Sequence, residues 1–412
     1  MKKQKHVVVI GGGASGIVAA ISAKRNGADV ALLERNSRVG KKILATGNGR
    51  CNLTNINSDI NFYNGQNPKF IYSTFGQFGI QETLSFFEKL GIEYKVEANG
   101  KVFPMSDQSS SVLDVLLYEL NHLGVTIITD CYVTELKKNK RTFLVKSSDN
   151  KTFLCDSVVF ATGGKSMPSS GSDGSGYELI KKLNHTIVPV FPSLVQLILQ
   201  CDFLKRIDGV KFVGRADLIV NKKSCSTDRG DILFTSYGIS GPPILQLSRK
   251  AGEFLQNNKE CYIRLSILDT MTEDEIQKRL ERRFEDNSYK TIFESMIGLV
   301  NKRLIPVILL EANISNQNRL ASTLTKLEKK QIASLLKKWD FQIIGTKDWN
   351  NSQATAGGVN TNEVYSDTLE SKKVEGLFFS GEVLDIDGQC GGFNLQWAWS
   401  SGMLAGRNAA TL

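Results

Sequence analysis

The order of apolar and polar positions predicts a strand–helix–strand unit at the start of the chain. Residues 7–10 are a run of β-branched side chains, which is typical of a strand buried on both faces. A glycine turn and a helix-compatible stretch over 17–25 follow, and a second apolar run over 30–33 ends at Glu34. This order of elements is that of a βαβ unit.

The pattern of hydrophobic positions then changes several times. Helical periodicity is present near 79–90 and 108–123, and the short apolar runs after 124 predict a β-meander. Residues 194–268 are predicted to be rich in strands and 271–340 to be helical. A strand over 376–380 and a helix from about 396 to 409 close the chain. The predicted meander strands are 125–129, 132–136, 142–146 and 157–160.

The first glycine turn, Gly11–Gly16, has the spacing G-x-G-x-x-G between the strand and the helix. Its first glycine permits a tight turn, its second lets the backbone approach a pyrophosphate, and its third allows close helix packing. Glu34 follows 18 residues later, near the distance expected for a carboxylate that binds a ribose. We therefore predict a dinucleotide site and not merely a structural turn. Its predicted contacts are Gly11, Gly13, Ala14, Ser15, Gly16, Glu34 and Arg35.

Three longer stretches carry a resemblance to a known family. They are the loop 40–55 with the core GNGRCNLTN, the segment FTSYGISGP over 234–242, and GEVLDIDG over 381–388 with GGFNLQ over 391–396. The chain resembles, over essentially its whole length, a bacterial FAD-dependent oxidoreductase family that includes aminoacetone oxidases and flavin reductases of bile-acid 7-dehydroxylation. The resemblance implies an FAD-binding fold of the glutathione-reductase type.

The resemblance implies further contacts with FAD. Lys42 can place a charge near the pyrophosphate, the loop 47–53 can wrap the flavin edge, and Val133 can offer its backbone to adenine. The amino-terminus of the last helix, aimed at the flavin, would stabilise the negative charge of the reduced form. The contacts predicted in this way are Lys42, Ile43, Gly47, Asn48, Gly49, Cys51, Asn52, Leu53, Val133, Ala161, Thr162, Gly163, Gly381, Glu382, Gly392, Phe393, Asn394 and Leu395.

Cofactor motifs at both ends of the chain predict a discontinuous domain. We expect an α/β fold in which a Rossmann-like FAD-binding domain comprises 1–190 and 350–412. A β-rich, barrel-like unit over 191–268 and a small helical unit over 269–349 are inserted into it.

A second glycine turn, Gly171–Gly176, has the spacing G-x-x-G-x-G and opens a predicted helix. A polar turn over 166–170 precedes it, where a nucleotide-binding unit would have a buried strand. We interpret it as a helix start beside the FAD domain, and a nicotinamide site is the alternative. Without a second βαβ unit of this kind, NAD(P)H would reach the flavin directly.

Catalytic residues are not identified by the sequence. Cys51 and Cys390 are interpreted as small packing thiols, with a redox role as the alternative. Asp387 and Tyr237 are candidate proton donors. Trp397 and Trp399 are interpreted as core residues of the last helix.

Composition narrows the class of protein. Three His argue against a metal site, and seven Cys without a C-x-x-C pair indicate reduced thiols in a cytoplasmic protein. No run approaches the roughly 18 apolar residues that a membrane helix needs. The net charge of +9 comes from short basic runs without interleaved aromatic residues, so we expect solvated loops and no nucleic-acid partner.

The sequence therefore predicts an FAD-dependent oxidoreductase, with NAD(P)H as a candidate electron donor, that reduces a small organic substrate such as an enone. An FAD-dependent amine oxidase that passes electrons to oxygen is the alternative. A non-enzymatic flavin-containing or RNA-associated protein is a third hypothesis, which only the positive charge supports. The oligomeric state is left open.

Overall fold

The computed structural model describes residues 4–412. The chain divides into two compact units. One comprises the residues up to Pro192 together with Ser352–Leu412, and the other is Ser193–Asn351.

A five-stranded parallel sheet lies at the centre of the first unit. Its middle strand, His6–Ile10, pairs with Asp29–Leu33 on one side and with Ser157–Phe160 on the other. Val7 to Ile10 are all buried, as the run of β-branched residues predicts. In spatial order the strands are Leu377–Phe379, Ser157–Phe160, His6–Ile10, Asp29–Leu33 and Thr126–Ile128.

The prediction of a β-meander is wrong about which strands belong to the antiparallel sheet. Thr126–Ile128 and Ser157–Phe160 belong to the parallel sheet, and the antiparallel sheet consists of Val133–Asn139, Thr142–Ser147 and Thr152–Cys155. Burial explains the difference: Ser157–Phe160 is buried at every position, whereas Thr142–Ser147 alternates between buried and half-buried side chains. Continuous burial is typical of a central parallel strand, and alternation is typical of an antiparallel one.

The first and last helices of this unit pack backbone against backbone. A Cβ atom on Gly402 would lie 2.3 Å from the carbonyl oxygen of Ser15, and one on Gly406 would lie 2.1 Å from that of Ala19. The helices of the unit are Ala14–Arg25, Lys41–Ala45, Ile71–Gln77, Ile80–Lys89, Ser109–His122, Ser175–Lys182 and Phe393–Thr411. Its smaller sheets are Thr54–Asn55, Lys101–Pro104 and Tyr94–Val96; Ile187–Ser193 with Ala354–Val359; and Asp387–Gly388 with Tyr63–Asn64.

The second unit contains a closed antiparallel barrel of six strands. The sequence pattern predicts a division of this insert at residue 268, but the strand that closes the barrel, Trp339–Thr346, follows the helices. The helix Pro242–Gln256 also lies inside the segment that was predicted to be β-rich. In barrel order the strands are Leu197–Leu199, Gly238–Ser240, Lys223–Thr235, Lys211–Val220, Cys261–Ser266 and Trp339–Thr346. The helices are Leu204–Ile207, Pro242–Gln256, Glu273–Asp286, Ile292–Met296, Ile305–Glu311 and Lys326–Lys337.

Among residues 4–412, no helix is both long enough and apolar enough to cross a membrane.

Candidate functional site

A cavity opens at the carboxyl ends of the parallel strands in the first unit. Its volume is about 200 Å³, and the carboxyl ends of parallel strands are where α/β sheets bind ligands. The residues of the predicted site that line it are Gly11, Gly13, Ala14, Ser15, Glu34, Arg35, Lys42, Ile43, Val133, Ala161, Thr162, Gly163, Glu382, Asn394 and Leu395.

The other predicted residues lie outside the lining of this cavity. Cys51 and Leu53 are fully buried, and Gly381 and Gly392 pack against Ser15 and Thr54. We attribute the sequence pattern at these four positions to packing behind the cavity wall, whereas Asn48 and Gly49 are exposed. The residues of this group are Gly16, Gly47, Asn48, Gly49, Cys51, Asn52, Leu53, Gly381, Gly392 and Phe393.

The three glycines of the G-x-G-x-x-G motif, Gly11, Gly13 and Gly16, have different surroundings. Gly11 has φ +106°, and a Cβ atom there would lie 2.4 Å from the carbonyl oxygen of Ala161. A Cβ atom on Gly16 would lie 1.8 Å from the carbonyl oxygen of Gly11. A Cβ atom on Gly13 would meet no atom within 4 Å, so this glycine leaves open space at the start of the helix Ala14–Arg25. These surroundings match the roles of tight turn, close packing and cofactor approach that the motif predicts.

Glu34 is held in place by amide groups. One carboxylate oxygen accepts a hydrogen bond from the Gly12 N–H at 2.8 Å. The other accepts from the backbone N–H and the side-chain amide of Asn36, at 2.8 and 2.7 Å. Glu34 is 8% exposed, so the carboxylate is fixed at the end of the second strand before any ligand binds. This is the position where a ribose hydroxyl is expected.

Lys42 and Glu382 form an ion pair in the cavity wall. The Lys42 ammonium lies 2.7 Å from a carboxylate oxygen of Glu382, and the other oxygen accepts from the Ser166 hydroxyl and the Thr355 N–H, both at 2.7 Å. Burial alone would raise the pKa of Glu382, but these donors hold its pKa below the usual range. Lys42 was predicted to face a pyrophosphate, and here its charge is compensated by Glu382.

The loop 46–55 touches the start of the last helix. The Asn55 side chain donates to the carbonyl oxygen of Gly391 at 3.0 Å. The helix begins at Phe393, three residues before the predicted start, so Asn394 and Leu395 lie in its first turn and line the cavity. Gly392 precedes it without a side-chain cap, which leaves the first N–H groups of the helix available to a ligand.

The remaining residues that the sequence analysis considered for chemistry or packing lie in different surroundings. Burial raises the pKa of Cys51 to about 12, which keeps this thiol protonated and argues against a redox role. Trp397 and Trp399 are buried, as predicted, and donate to the backbone carbonyls of Gly381 and Leu53. Asp387 is buried in the first unit and Tyr237 belongs to the second.

Sequence reasoning missed one part of the wall. Gly171, Ser172, Ser175 and Gly176 of the second glycine turn line the same cavity as the first. The hydroxyl groups of Ser172 and Thr162 are buried there, and neither has a hydrogen-bond partner within residues 4–412. The G-x-x-G-x-G spacing was the available signal, but the missing strand before it argued against a nucleotide-binding role.

Comparison with known families decides the class. The model described as "HI0933-like protein Rossmann domain" matches residues 5–408. The chain belongs to this HI0933-like family. The resemblance and the fold class inferred from the sequence, a Rossmann-like domain with a barrel-like insert, are thereby confirmed.

Three relatives align with this chain over nearly its whole length. A 3-dehydro-bile acid delta(4,6)-reductase from Clostridium scindens is 43% identical over 98% of this chain and 99% of its own length. A ribosomal RNA dihydrouridine synthase from Escherichia coli is 31% identical over 96% of this chain and 95% of its own length. The Haemophilus influenzae ribosomal RNA dihydrouridine synthase is 27% identical, over 97% of both chains. The chain is an FAD-dependent oxidoreductase, as the sequence predicted.

The cavity fits the FAD that this family implies. The open space over Gly13 is suited to a pyrophosphate, and the fixed carboxylate of Glu34 is suited to a ribose. The buried hydroxyls of Thr162 and Ser172 lack partners that a bound nucleotide can supply.

Proposed function

We propose that this chain is an FAD-dependent reductase that saturates a carbon–carbon double bond conjugated with a carbonyl group. NAD(P)H as the electron donor and a cytoplasmic location are part of the proposal. Among the described residues all seven cysteines are free thiols, which supports a reducing compartment.

The observation that carries the proposal is the reaction type shared by the two kinds of relative. The name of the 43% identical relative specifies a steroid ketone whose double bonds are conjugated with the carbonyl group. Dihydrouridine arises when the ring double bond of uridine, also conjugated with a carbonyl group, is saturated. The substrates differ greatly in size, but in each a double bond conjugated with a carbonyl group is saturated, which requires a hydride and a proton.

The residues of the cavity support this chemistry through binding and charge. FAD, when bound, supplies hydride transfer between a reduced nicotinamide and the substrate. Glu34 would hold the adenosine ribose, and the N–H groups at the start of Ala14–Arg25 would bind the pyrophosphate. The uncapped N–H groups at Phe393–Leu395 would stabilise negative charge on the reduced ring. The ion pair between Lys42 and Glu382 holds this part of the cavity wall in place.

Anaerobic rapid mixing tests this proposal against the amine oxidase. The FAD-loaded protein is mixed with NADH, NADPH or aminoacetone, and the flavin absorbance is followed. The reductase predicts bleaching by a reduced nicotinamide, and then recovery on addition of a 4,6-diene-3-ketone bile acid. Bleaching by aminoacetone alone, with recovery only in air, would establish the oxidase and contradict the reductase.

RNA is the second candidate substrate, and the charge of the insert favours it. Residues 193–351 contain 25 Lys and Arg against 19 Asp and Glu, so this unit has +6 of the net charge of +9. Such an excess attracts phosphate backbones. The reduced protein is therefore also given unmodified ribosomal RNA, and mass spectrometry measures the gain of two hydrogens on uridine. Conversion that falls steeply with added salt would select RNA over the small ketone.

A further inference from the structure

The second glycine turn bridges the two strand ends on either side of the first glycine turn. The Asn36 side-chain amide donates to the carbonyl oxygen of Ser170 at 3.0 Å, which joins the turn to the end of Asp29–Leu33. On the other side, the Ser172 hydroxyl lies 2.9 Å from where a Cβ atom of Gly163 would be, next to the end of Ser157–Phe160. The turn therefore lies beside Glu34 in the same cavity.

Ion pairs and hydrogen bonds anchor the turn. The Arg35 guanidinium lies 2.6 Å from the Asp173 carboxylate and 4.7 Å from the centre of the Tyr132 ring. The other Asp173 oxygen accepts from the Ser175 N–H at 3.0 Å. Because the turn is fixed at both ends, the position of the Ser172 side chain is set before a ligand arrives.

Two hydroxyl groups in this region lack partners. Ser172 is 7% exposed, and its oxygen, like that of Thr162, is buried without a hydrogen bond to any described residue. Both side chains line the cavity. A buried polar group without a partner is unfavourable, and such groups in native proteins are usually paired with water or a ligand.

The position of these hydroxyls indicates which part of a nucleotide they face. The turn lies beside Glu34, where a ribose hydroxyl is expected, and the cationic side chains of Arg35, Arg38 and Lys41 line the same cavity. The uncharged ribose and adenine ring, which offer hydroxyl groups and ring nitrogens, are the matching chemistry.

We infer that the second glycine turn is part of the dinucleotide site, and that the hydroxyls of Ser172 and Thr162 bind the adenosine moiety of the cofactor. The inference rests on the FAD site of the proposed function and adds Ser172 to it as a cofactor-binding residue.

The test compares Ser172→Ala with Ser169→Ala, since Ser169 is exposed in the same segment. Calorimetry on the apoprotein measures the affinities for FAD, ADP and riboflavin. Loss of one neutral hydrogen bond predicts about 2- to 13-fold weaker binding of FAD and ADP by Ser172→Ala, with riboflavin affinity unchanged. Without ligand, this variant should melt at the same temperature as wild type or higher, because an unpaired buried hydroxyl has been removed.

The outcomes separate this inference from the FAD assignment. Equal FAD and ADP affinities in the two variants and wild type would overturn the role of Ser172 and leave the FAD assignment intact. A Ser172→Ala variant that loses ADP and riboflavin equally, or melts well below wild type, would show a structural role and also overturn it. If the wild-type apoprotein bound neither FAD nor ADP, the FAD site itself would be wrong.

Discussion

Two glycine turns line one cavity, but their glycines are needed for different reasons. In the first turn, Cβ atoms on Gly11 and Gly16 would collide with backbone carbonyl oxygens. In the second, a Cβ atom on Gly171 would lie 2.4 Å from the side-chain nitrogen of Asn36, and one on Gly176 would lie 2.3 Å from the Thr162 hydroxyl. Backbone atoms beside the strand ends can move little, whereas side chains can shift. Gly11 and Gly16 of the first turn should therefore tolerate substitution less well than Gly171 and Gly176 of the second.

Gly16→Ala should give the largest loss of stability. Alanine normally stabilises a helix interior relative to glycine by about 1 kcal/mol, but this Cβ atom would lie 1.8 Å from the Gly11 oxygen. We expect a net loss of about 3 kcal/mol in the free energy of unfolding, measured with urea. Gly76→Ala is the matched control, because a Cβ atom there meets nothing within 4 Å and should stabilise slightly. Equal behaviour of the two variants would contradict the backbone contact.

Gly13→Leu should abolish FAD binding while leaving the fold intact. Gly13 has φ −83°, which any residue adopts, and open space surrounds its Cβ position. The leucine side chain would then occupy the space suited to the pyrophosphate, so we expect affinity to fall by about 100-fold or more. Flavin absorbance retained after gel filtration measures binding, and the melting temperature checks the fold. Retained FAD would show that the pyrophosphate lies elsewhere.

The sequence predicted the first turn because its signals are local. The run over 7–10, the glycine spacing and Glu34 fall within 28 residues. Together they indicate a strand, a turn and a carboxylate in the order that one βαβ unit requires. The family resemblance added the distant contacts, and the structure brings the loop 46–55 and the last helix together as that implies. The pairing of Lys42 with Glu382, 340 residues apart, has no periodic signal in one sequence.

The barrel and the second turn show why other parts were missed. Lys223–Thr235 is a single strand, but its polar first half has no continuous apolar run that would indicate where the strand begins. Ser172 is an ordinary serine in a polar loop until the fold places it against Gly163. In both cases the deciding contact is tertiary, and it overrides local pattern.

Removing the Glu34 carboxylate should weaken FAD binding less than filling the space at Gly13. Loss of a hydrogen bond to a charged acceptor predicts about 10- to 150-fold weaker binding for Glu34→Ala. Glu34→Gln keeps an acceptor for Gly12 or the ribose, and its affinity should lie between those of wild type and Glu34→Ala. Fluorescence titration of the apoprotein with FAD gives the three affinities. An unchanged FAD affinity in Glu34→Ala would show that the ribose does not bind at this position.

Gly171→Ala should be milder than Gly16→Ala, although Gly171 has φ +101°. The strained backbone and the displaced Asn36 amide predict a loss of about 1–2 kcal/mol in unfolding free energy. Because Asn36 also donates to Glu34, FAD affinity should fall as well. A loss as large as that of Gly16→Ala, by the same urea titration, would show that the second turn is as rigid as the first.

Acid should loosen the second turn. Burial alone would raise the pKa of Asp173, but donors from Ser175 and Arg35 outweigh it and hold the pKa below its usual range. A carboxylate with a lowered folded-state pKa stabilises the fold above its unfolded pKa, about 3.9, and that contribution is lost as pH falls through the folded value. Because Asp173 is about one third exposed, we expect only ~0.2–1 kcal/mol from its pairing. Asp173→Asn should therefore be less stable than wild type near pH 7, and the gap should close as pH falls below the unfolded pKa and through the folded one. A gap that stays constant with pH would mean that the carboxylate charge does not anchor this turn.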